Sequence, residues 1–399
     1  MSQPPPRLPD PRDDDRTRDD GRGGSPRSGN GADRALRPEA RRANLISRKK
    51  PVYPLSDYFA EYLARYRRLA TEGADYESLL RYDNAVTLFD EHGNDTLWNT
   101  VYFGPVEQRE IHEALRLTYA LLKSDGDLST VEHLYIDRVD LCLYGNTLPF
   151  RVRIVNALNE NFDYFYVKKV DANRLYGLEL EHVLSPNRIN YLVHGDTLIE
   201  EHIVGIPADQ FIREAMPSNA FDEVRLAKEF VKFNERCFVR LLGDMHSGNF
   251  VIDITPDFEK LHFRMRPIDF DQQSHHPKKQ VYLPQYFPQN NPIIALGMQH
   301  MTPRTVDQYQ REERALIAGR IQASHGRYRT LIAVMSEDLI AAPENVGSLG
   351  AQLAEHYDDA LFRDCATMGE LVSASLDRLL HHHEPASASM MQGQPLGSA

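Results

Sequence analysis

The chain has little cysteine and no long apolar run, and each absence excludes a class of protein. The three cysteines (Cys142, Cys237 and Cys365) lie far apart without a CxxC pair, which predicts neither a disulfide framework nor a zinc site. Because no run of about 18 apolar residues occurs, we expect no membrane-spanning helix. The sequence also lacks a Gly-rich P-loop and a G-x-S-x-G elbow. These features favour a cytoplasmic protein with free thiols.

Aromatic residues are absent from residues 1–50, which are rich in Pro, Gly, Asp and Arg. Such a segment buries too little apolar surface to offset its conformational entropy, so we predict a disordered arm. The arm carries 13 basic and 8 acidic residues, whereas the remainder carries 33 basic and 50 acidic residues. An acidic body repels nucleic-acid phosphates, and we expect no nucleic-acid partner. Residues 383–399 are predicted to form a flexible tail.

Between the arm and the tail, the sequence first shows both helix-like and strand-like periodicity and then mainly strand-like periodicity. Helix-like periodicity covers 57–69 and 106–123, and a hairpin is predicted between them over 86–103. Five strand-like segments follow within 135–204, with one helical segment inserted at 172–184.

Helical patterns dominate from residue 221 onward, apart from short strands around 249–269. Five strands with one helix, followed by a mainly helical half, predict an α+β fold of two lobes. The expected division is an extension of unknown role at 51–130, an N-lobe at 131–205 and a C-lobe at 206–382.

The strongest functional motif is L-G-D-M-H-S-G-N at residues 242–249. Phosphoryl transfer needs a carboxylate that meets the acceptor's hydroxyl proton and an amide oxygen that binds a metal on the phosphates. Asp244 and Asn249 supply these groups at the five-residue spacing found in protein kinases. Twenty residues further on, I-D-F-D at 268–271 places Asp269 after a short apolar strand, where it can bridge Mg²⁺ to a triphosphate.

Either motif alone also fits a polar turn or a helix cap, and the prediction depends on their order behind a strand-rich region. The motif at 242–249 resembles the catalytic loop of the aminoglycoside phosphotransferase and choline kinase group of the protein-kinase-like superfamily, and 268–271 resembles its metal-binding segment. The resemblance implies a kinase-like fold that binds ATP and Mg²⁺ and transfers the γ-phosphoryl group to a hydroxyl. It implies that Asp244 deprotonates the acceptor and that Asn249 and Asp269 hold the metal.

The resemblance also implies a strand lysine that neutralises the phosphates and a helix carboxylate that fixes it. Strand alternation places Lys168 on the face of Tyr166, which would obstruct the adenine, so we prefer Lys169, although the sequence does not decide between the two lysines. Glu179 lies on the apolar stripe of the following helix, where an acid needs a partner, whereas Glu181 is predicted to point away. Glu179 is therefore the predicted partner of Lys169.

Adenine is expected to contact the main chain of Glu201 and Ile203 in the segment that would join the two lobes. The turn at Gly145 would overlie the phosphates. It lacks the G-x-G-x-x-G pattern of protein kinases and fits an ordinary hairpin glycine equally well.

Three other functions fit the same motifs. A kinase-like AMPylator would bind ATP in reverse and transfer the nucleotide, and a protein kinase of the bacterial toxin type uses a similar Gly-Asp loop. A non-catalytic pseudokinase would serve as a binding module, although the retained Asp244, Asn249 and Asp269 argue against it. The sequence indicates neither the acceptor, a small molecule or a protein, nor the oligomeric state.

Overall fold

A computed structural model describes residues 50–90, 93–124, 126–143, 147–218, 221–257 and 260–381 of the 399-residue chain. The tail predicted at 383–399 and nearly all of the predicted arm lie outside these ranges. Lys50, the last residue assigned to the arm, is an exception. Its ammonium group forms a buried ion pair with Asp171 and donates to Asn173 Oδ1 at 3.2 Å. Residue 50 therefore contacts the folded part of the chain, next to the boundary predicted between the arm and the extension.

Seven strands form one antiparallel sheet in the order β1-β2-β3-β4-β5-β7-β6, and three more form a small second sheet in the order β10-β9-β8. The strands are β1 Asn84–Phe89, β2 Asp95–Tyr102, β3 Leu134–Cys142, β4 Phe150–Asn156, β5 Phe162–Lys169, β6 Tyr191–His194, β7 Thr197–Glu201, β8 Ile206–Pro207, β9 Phe250–Asp257 and β10 Lys260–Pro267.

The predicted hairpin at 86–103 is confirmed as β1 and β2, and it continues the main sheet. Strand β2 pairs with β3 through the register Trp98↔Cys142 to Thr100↔Asp140. The extension at 51–130 thus contributes two strands to the same sheet as the predicted N-lobe strands. The division at residues 130 and 131 lies between two neighbouring strands of one sheet.

The helices account for most of the chain after the sheet, together with short helical turns at 128–131, 208–218 and 279–290. They are α1 Asp57–Arg65, α2 Tyr76–Leu79, α3 Pro105–Ser124, α4 Ala172–Leu184, α5 Glu223–Val239, α6 Asn291–His300, α7 Pro303–Ala323, α8 His325–Glu337, α9 Pro343–Tyr357, α10 Leu361–Asp364 and α11 Met368–His381. Capping side chains begin several of them: Ser56 accepts from Phe59 N in α1, and Asp222 accepts from Arg225 N in α5.

Strand alternation gives the main sheet two unlike faces. On one face, apolar side chains such as Ile136, Phe150 and Val167 pack in one core cluster with Ile111 and Leu115 of α3. The other face carries a polar row that crosses the sheet through the paired residues Thr100, Asp140, Arg151, Tyr166 and Glu200.

The larger core lies among the helices and includes apolar residues of both α4 and α5. The molecule is a mixed α+β protein with one large antiparallel sheet and many helices. Within the described ranges, none of the helices has both the length and the apolar character that crossing a membrane requires.

Candidate functional site

The loop after α5 holds Asp244 in an unusual backbone conformation. Asp244 has a φ of +62°, a left-handed value that costs a non-glycine residue energy and that often marks functional positions. Its N–H donates to Val281 O at 2.9 Å. Its carbonyl accepts from the Asn249 side-chain Nδ2 and from His246 N, both at 2.9 Å. The amide of Asn249 therefore fixes the backbone that presents the Asp244 carboxylate.

Neighbouring segments support this loop from both sides. Gly243 N donates to Gln272 O at 3.1 Å, and a Cβ at Gly243 would meet that oxygen at 3.0 Å, so the close approach favours glycine. On the other side, the buried Asn290 donates through Nδ2 to Met245 O at 3.0 Å. These contacts fix the position of the loop that carries Asp244.

The I-D-F-D segment lies directly beside the Asp244 loop. Ile268 N donates to Asn249 O at 3.0 Å, which places Asp269 one residue away from the contact. Phe270 is buried against α4, where a Cβ at Gly177 would meet Phe270 Cβ at 2.9 Å. Glycine at this position permits α4 to approach the segment closely. The structure thus brings the predicted Asp244, Asn249 and Asp269 together.

Arg174, one turn before Gly177 on α4, joins this segment to the polar row of the sheet. Its guanidinium donates to Asp269 Oδ1 at 2.8 Å and to Asp271 Oδ1 at 2.7 Å. It also binds both oxygens of Glu200 on β7, at 2.5 and 2.8 Å. Lys168 Nζ completes the network by donating to Glu200 Oε2 at 2.8 Å. Two cations and three carboxylates therefore form one continuous network, which we call the Arg174 network.

Burial and mutual charge shift the proton affinities within the Arg174 network. Burial and Arg174 lower the pKa of Lys168, although Glu200 and Asp271 oppose this shift. Burial raises the pKa of Glu200, but Arg174 and Lys168 outweigh it and hold the value at about 2. Burial and the neighbouring Asp269 raise the pKa of Asp271. Such perturbed values cluster at functional sites, although structural ion-pair networks also produce them.

The two candidate phosphate lysines lie in different surroundings. Lys169 is 52% exposed and forms an ion pair with Glu77 at 3.3 Å, away from Asp269. Lys168 is the buried lysine and is linked through Glu200 and Arg174 to Asp269. Tyr166, which the sequence argument treated as an obstruction, lies in the polar row on the same face as Lys168, and the choice of Lys169 stays a prediction.

The predicted pairing of Lys169 with Glu179 is absent. Glu179 is fully buried, as its position on the apolar stripe predicts, but it accepts from Arg68 at 3.2 Å and from Arg327 at 2.7 Å. Tyr62 and Tyr191 each donate to it at 2.6 Å. Glu179 therefore belongs to a separate cluster on the far end of α4.

Glu181 was predicted to point away, yet its carboxylate is buried and paired with Arg240. The main-chain contacts expected at Glu201 and Ile203 remain predictions. Glu201 N already donates to Asn190 O at 3.0 Å, so an adenine contact there would have to use its carbonyl. Ile203 is buried in the larger core, and Gly145 lies outside the described residues.

Mg²⁺ prefers oxygen ligands and keeps several of its own waters or substrate oxygens. Because Asn249 uses Nδ2 to hold Asp244 O, its Oδ1 is left for other contacts. Asp269 uses Oδ1 for Arg174 and for Asp271 N, which leaves Oδ2 outside these bonds. These two oxygens fit a metal that also binds phosphate oxygens. Among the described residues, no three His, Cys, Asp or Glu side chains form a metal-binding group of their own.

The sequence argument did not predict Arg174, Glu200 or Asp271 as site residues, and it left Lys168 as the alternative to Lys169. The signal that could have indicated them is their placement: each is a charged residue at an otherwise apolar position of α4, a strand or the I-D-F segment. A charge at a buried position requires a partner, so the four would be expected to meet.

Comparisons with known proteins give little guidance. No family model and no curated protein matches the chain. Among solved structures, one similar chain is the Neurospora crassa PAN3 pseudokinase, with 10% sequence identity and a TM-score of 0.17. The match covers 62% of this chain and 60% of that chain, which is less than two thirds of its length. A TM-score of this size does not establish a shared fold.

Proposed function

We propose that this chain is an ATP-dependent phosphotransferase of the two-lobed, kinase-like type, acting on a hydroxyl acceptor. The observation that carries the proposal is the position of Asn249. Its side chain holds the Asp244 carbonyl at 2.9 Å, while its main chain binds Ile268 at 3.0 Å, next to Asp269. One residue thus links the proposed catalytic carboxylate to the proposed metal carboxylate, as phosphoryl transfer requires.

In this proposal, Asp244 accepts the proton of the acceptor hydroxyl as that oxygen attacks the γ-phosphorus, while the bond from the γ-phosphorus to the bridging oxygen of the β-phosphate breaks and ADP leaves. Most of the catalytic effect comes from positioning, because the transferred phosphoryl group needs correct alignment rather than covalent help from the protein. The fixed loop around Asp244 supplies that alignment. Asn249 and Asp269 would hold Mg²⁺, which neutralises phosphate charge when bound.

The polar face of the sheet would form the roof of the nucleotide site. Lys168 is the proposed phosphate lysine, and Glu200 positions its ammonium group at 2.8 Å. Arg151 also lies on this face, with its guanidinium 4.5 Å from the Trp98 ring centroid. A cationic and aromatic face of this type suits a nucleotide, which is both anionic and aromatic.

A second candidate is a non-catalytic nucleotide-binding module, and the contact of Arg174 with Asp269 favours it. The guanidinium occupies one oxygen of the carboxylate that would bind metal, at 2.8 Å. If this ion pair persists when nucleotide binds, the chain would hold ATP without transferring its phosphate.

The test compares ATP binding with single-turnover transfer in wild type and Asp244→Asn. The substitution keeps the side-chain shape but removes the base, so we expect turnover to fall roughly 10²–10⁴-fold. ATP affinity should change by less than about threefold, because the base meets only the acceptor. Asp358→Asn is the matched control, since Asp358 is an exposed aspartate that also has a positive φ, of +51°.

The acceptor is sought by incubating wild type with ATP and Mg²⁺ against a panel of metabolites and proteins. Mass spectrometry of the product distinguishes phosphate transfer from AMP transfer. Turnover by Asp244→Asn equal to that of wild type would refute the catalytic role of Asp244. Tight ATP binding by wild type with no transfer to any acceptor or water would favour the non-catalytic module.

A further inference from the structure

A polar cavity lies at the opposite end of α4 from Arg174. It is separate from the residues proposed for phosphoryl transfer. Its volume is about 530 Å³. Three separate parts of the chain line it: the end of α1, the end of α4 with the turn that follows, and the junction of α7 and α8. Its polar lining consists mainly of Arg65, His182, Arg188, Ser324, His325 and Arg327, which we call the arginine cavity.

The arginine cavity has an excess of positive charge. Among the described residues, none that lines it is acidic, and neither Arg65 nor Arg188 forms an ion pair there. Behind Arg327, the buried carboxylate of Glu179 is already shared by Arg68 and Arg327. The single negative charge of Glu179 is therefore shared by two arginines. Arg65 and Arg188 add two further positive charges to the cavity. An excess of positive charge of this kind attracts a counter-ion.

Contacts with Glu179 and Tyr66 fix the guanidinium of Arg327 in a position where it can bind such a counter-ion. Its Nε and Nη2 atoms donate to Glu179 at 2.7 to 3.1 Å, and its guanidinium lies 4.5 Å from the Tyr66 ring centroid. These contacts use one edge and one face of the guanidinium, so Nη1 lies outside the bonds to Glu179. A side chain fixed before binding loses little conformational entropy when a ligand arrives.

Two further observations agree with an anion site. The Ser324 side chain does not cap α8, a helix of 13 residues, so the amides of its first turn are left for other acceptors beside the cavity. Burial, together with Arg327 and Arg68, lowers the pKa of His182 to about 4. Burial is the largest cause of this shift, and the two arginines add to it through their positive charge at the cavity wall.

We propose that the arginine cavity binds a small anion with two or more negative charges, of the phosphate-ester or diphosphate class. Guanidinium groups match phosphate oxygens in geometry and bind them through paired hydrogen bonds. The volume lies within the range of about 300–1,000 Å³ that small-molecule sites occupy. A long polyanion is disfavoured because the body of the chain is acidic, with 50 acidic against 33 basic residues after residue 50.

The test is calorimetric titration of the full chain with inorganic pyrophosphate in the absence of divalent cations. The key variant is Arg65→Ala/Arg188→Ala, because both side chains are exposed and lack ion pairs among the described residues. We expect the double variant to weaken pyrophosphate binding at least about tenfold. The matched control is Arg304→Ala/Arg329→Ala, which removes two exposed arginines of α7 and α8 outside the cavity lining and should bind like wild type.

Hydrogen exchange locates the site independently of affinity. Pyrophosphate should slow exchange of the amides at 323–328 in wild type and in the control, but not in the key variant. Equal affinity in the key variant and wild type would overturn the proposal, since any remaining binding would then belong elsewhere, including the proposed ATP site. Absence of protection at 323–328 at saturating pyrophosphate would overturn it as well.

Discussion

Two adjacent lysines, Lys168 and Lys169, show how strongly the role of a residue depends on the direction of its side chain. Successive residues of a strand point to opposite faces, so one lysine is buried beside Glu200 while the next is exposed beside Glu77. The buried ammonium stays charged only because its carboxylate partner is close, and losing that partner would leave a costly charge. The exposed pair contributes little, because water and salt screen it.

Replacing each lysine with methionine tests this difference directly. Lys168→Met leaves Glu200 paired with Arg174 alone, and we expect a loss of unfolding free energy of about 1–3 kcal/mol. ATP affinity should fall at least about tenfold if Lys168 meets the phosphates. Lys169→Met, the matched control, should change neither quantity measurably. Urea unfolding and ATP titration measure the two effects, and equal stability of the two variants would contradict the buried role of Lys168.

At the scale of a single element, α4 serves both the proposed active site and the arginine cavity. Its first turn carries Arg174, its middle carries Gly177 against Phe270, and its last turns carry Glu179 and His182. Nearly every residue of the helix is buried. A helix buried on all sides cannot be identified by a single apolar stripe, because partners surround it. This explains why the helical periodicity correctly predicted that Glu179 is buried but wrongly predicted that Glu181 points away.

His182, near the end of α4, gives the stability of the folded chain a pH dependence that can be measured. The pKa of His182 is about 4 in the folded chain, below its ordinary value of 6.5. Between these two values the unfolded chain binds a proton that the folded chain does not, so stability falls as the pH decreases from about 6.5 to about 4. His182→Gln removes this contribution.

We therefore expect the loss of unfolding free energy between pH 7 and pH 5 to be smaller in His182→Gln than in wild type. Urea unfolding at the two pH values gives the comparison. His325→Gln is the control, because His325 is an exposed histidine that lines the same cavity. An identical pH dependence in wild type and His182→Gln would show that the folded environment does not disfavour the imidazolium.

At the scale of the whole molecule, the residues just before α1 connect distant parts of the fold. Lys50 binds Asp171 at the start of α4, and Tyr53 N donates to the same carboxylate at 3.2 Å. Ser56 then donates to Asp338, beyond α8, at 2.9 Å. This short segment spans contacts that are more than a hundred residues apart in sequence. The segment therefore joins the start of α4 to the end of α8.

Lys50→Ala should destabilise the whole chain. The substitution leaves the buried Asp171 carboxylate without its cation, and breaking a buried pair in this way costs about 3–5 kcal/mol. Thermal and urea unfolding of the full-length chain measure the loss. Lys278→Ala removes an exposed lysine and should leave stability within about 0.5 kcal/mol of wild type. Unchanged stability in Lys50→Ala would mean that the folded region begins after residue 50.

The sequence by itself determined the features that depend on local spacing. The limits of α4 agree with the predicted 172–184, and the strands on either side lie within a few residues of their predicted positions. The motifs at 242–249 and 268–271 identified Asp244, Asn249 and Asp269 as neighbours, because turns and short hairpins hold residues close when they are close in sequence.

The tertiary structure decided which charged groups meet. Arg174 reaches Glu200 across 26 positions and Asp269 across 95, and Glu179 meets Arg327 across 148. No periodicity encodes such pairings, since a helical or strand pattern indicates only that a residue is buried. Its partner depends on how distant elements pack. The same reason explains why the continuous seven-stranded sheet and the arginine cavity, each assembled from separate segments, emerged only from the folded chain.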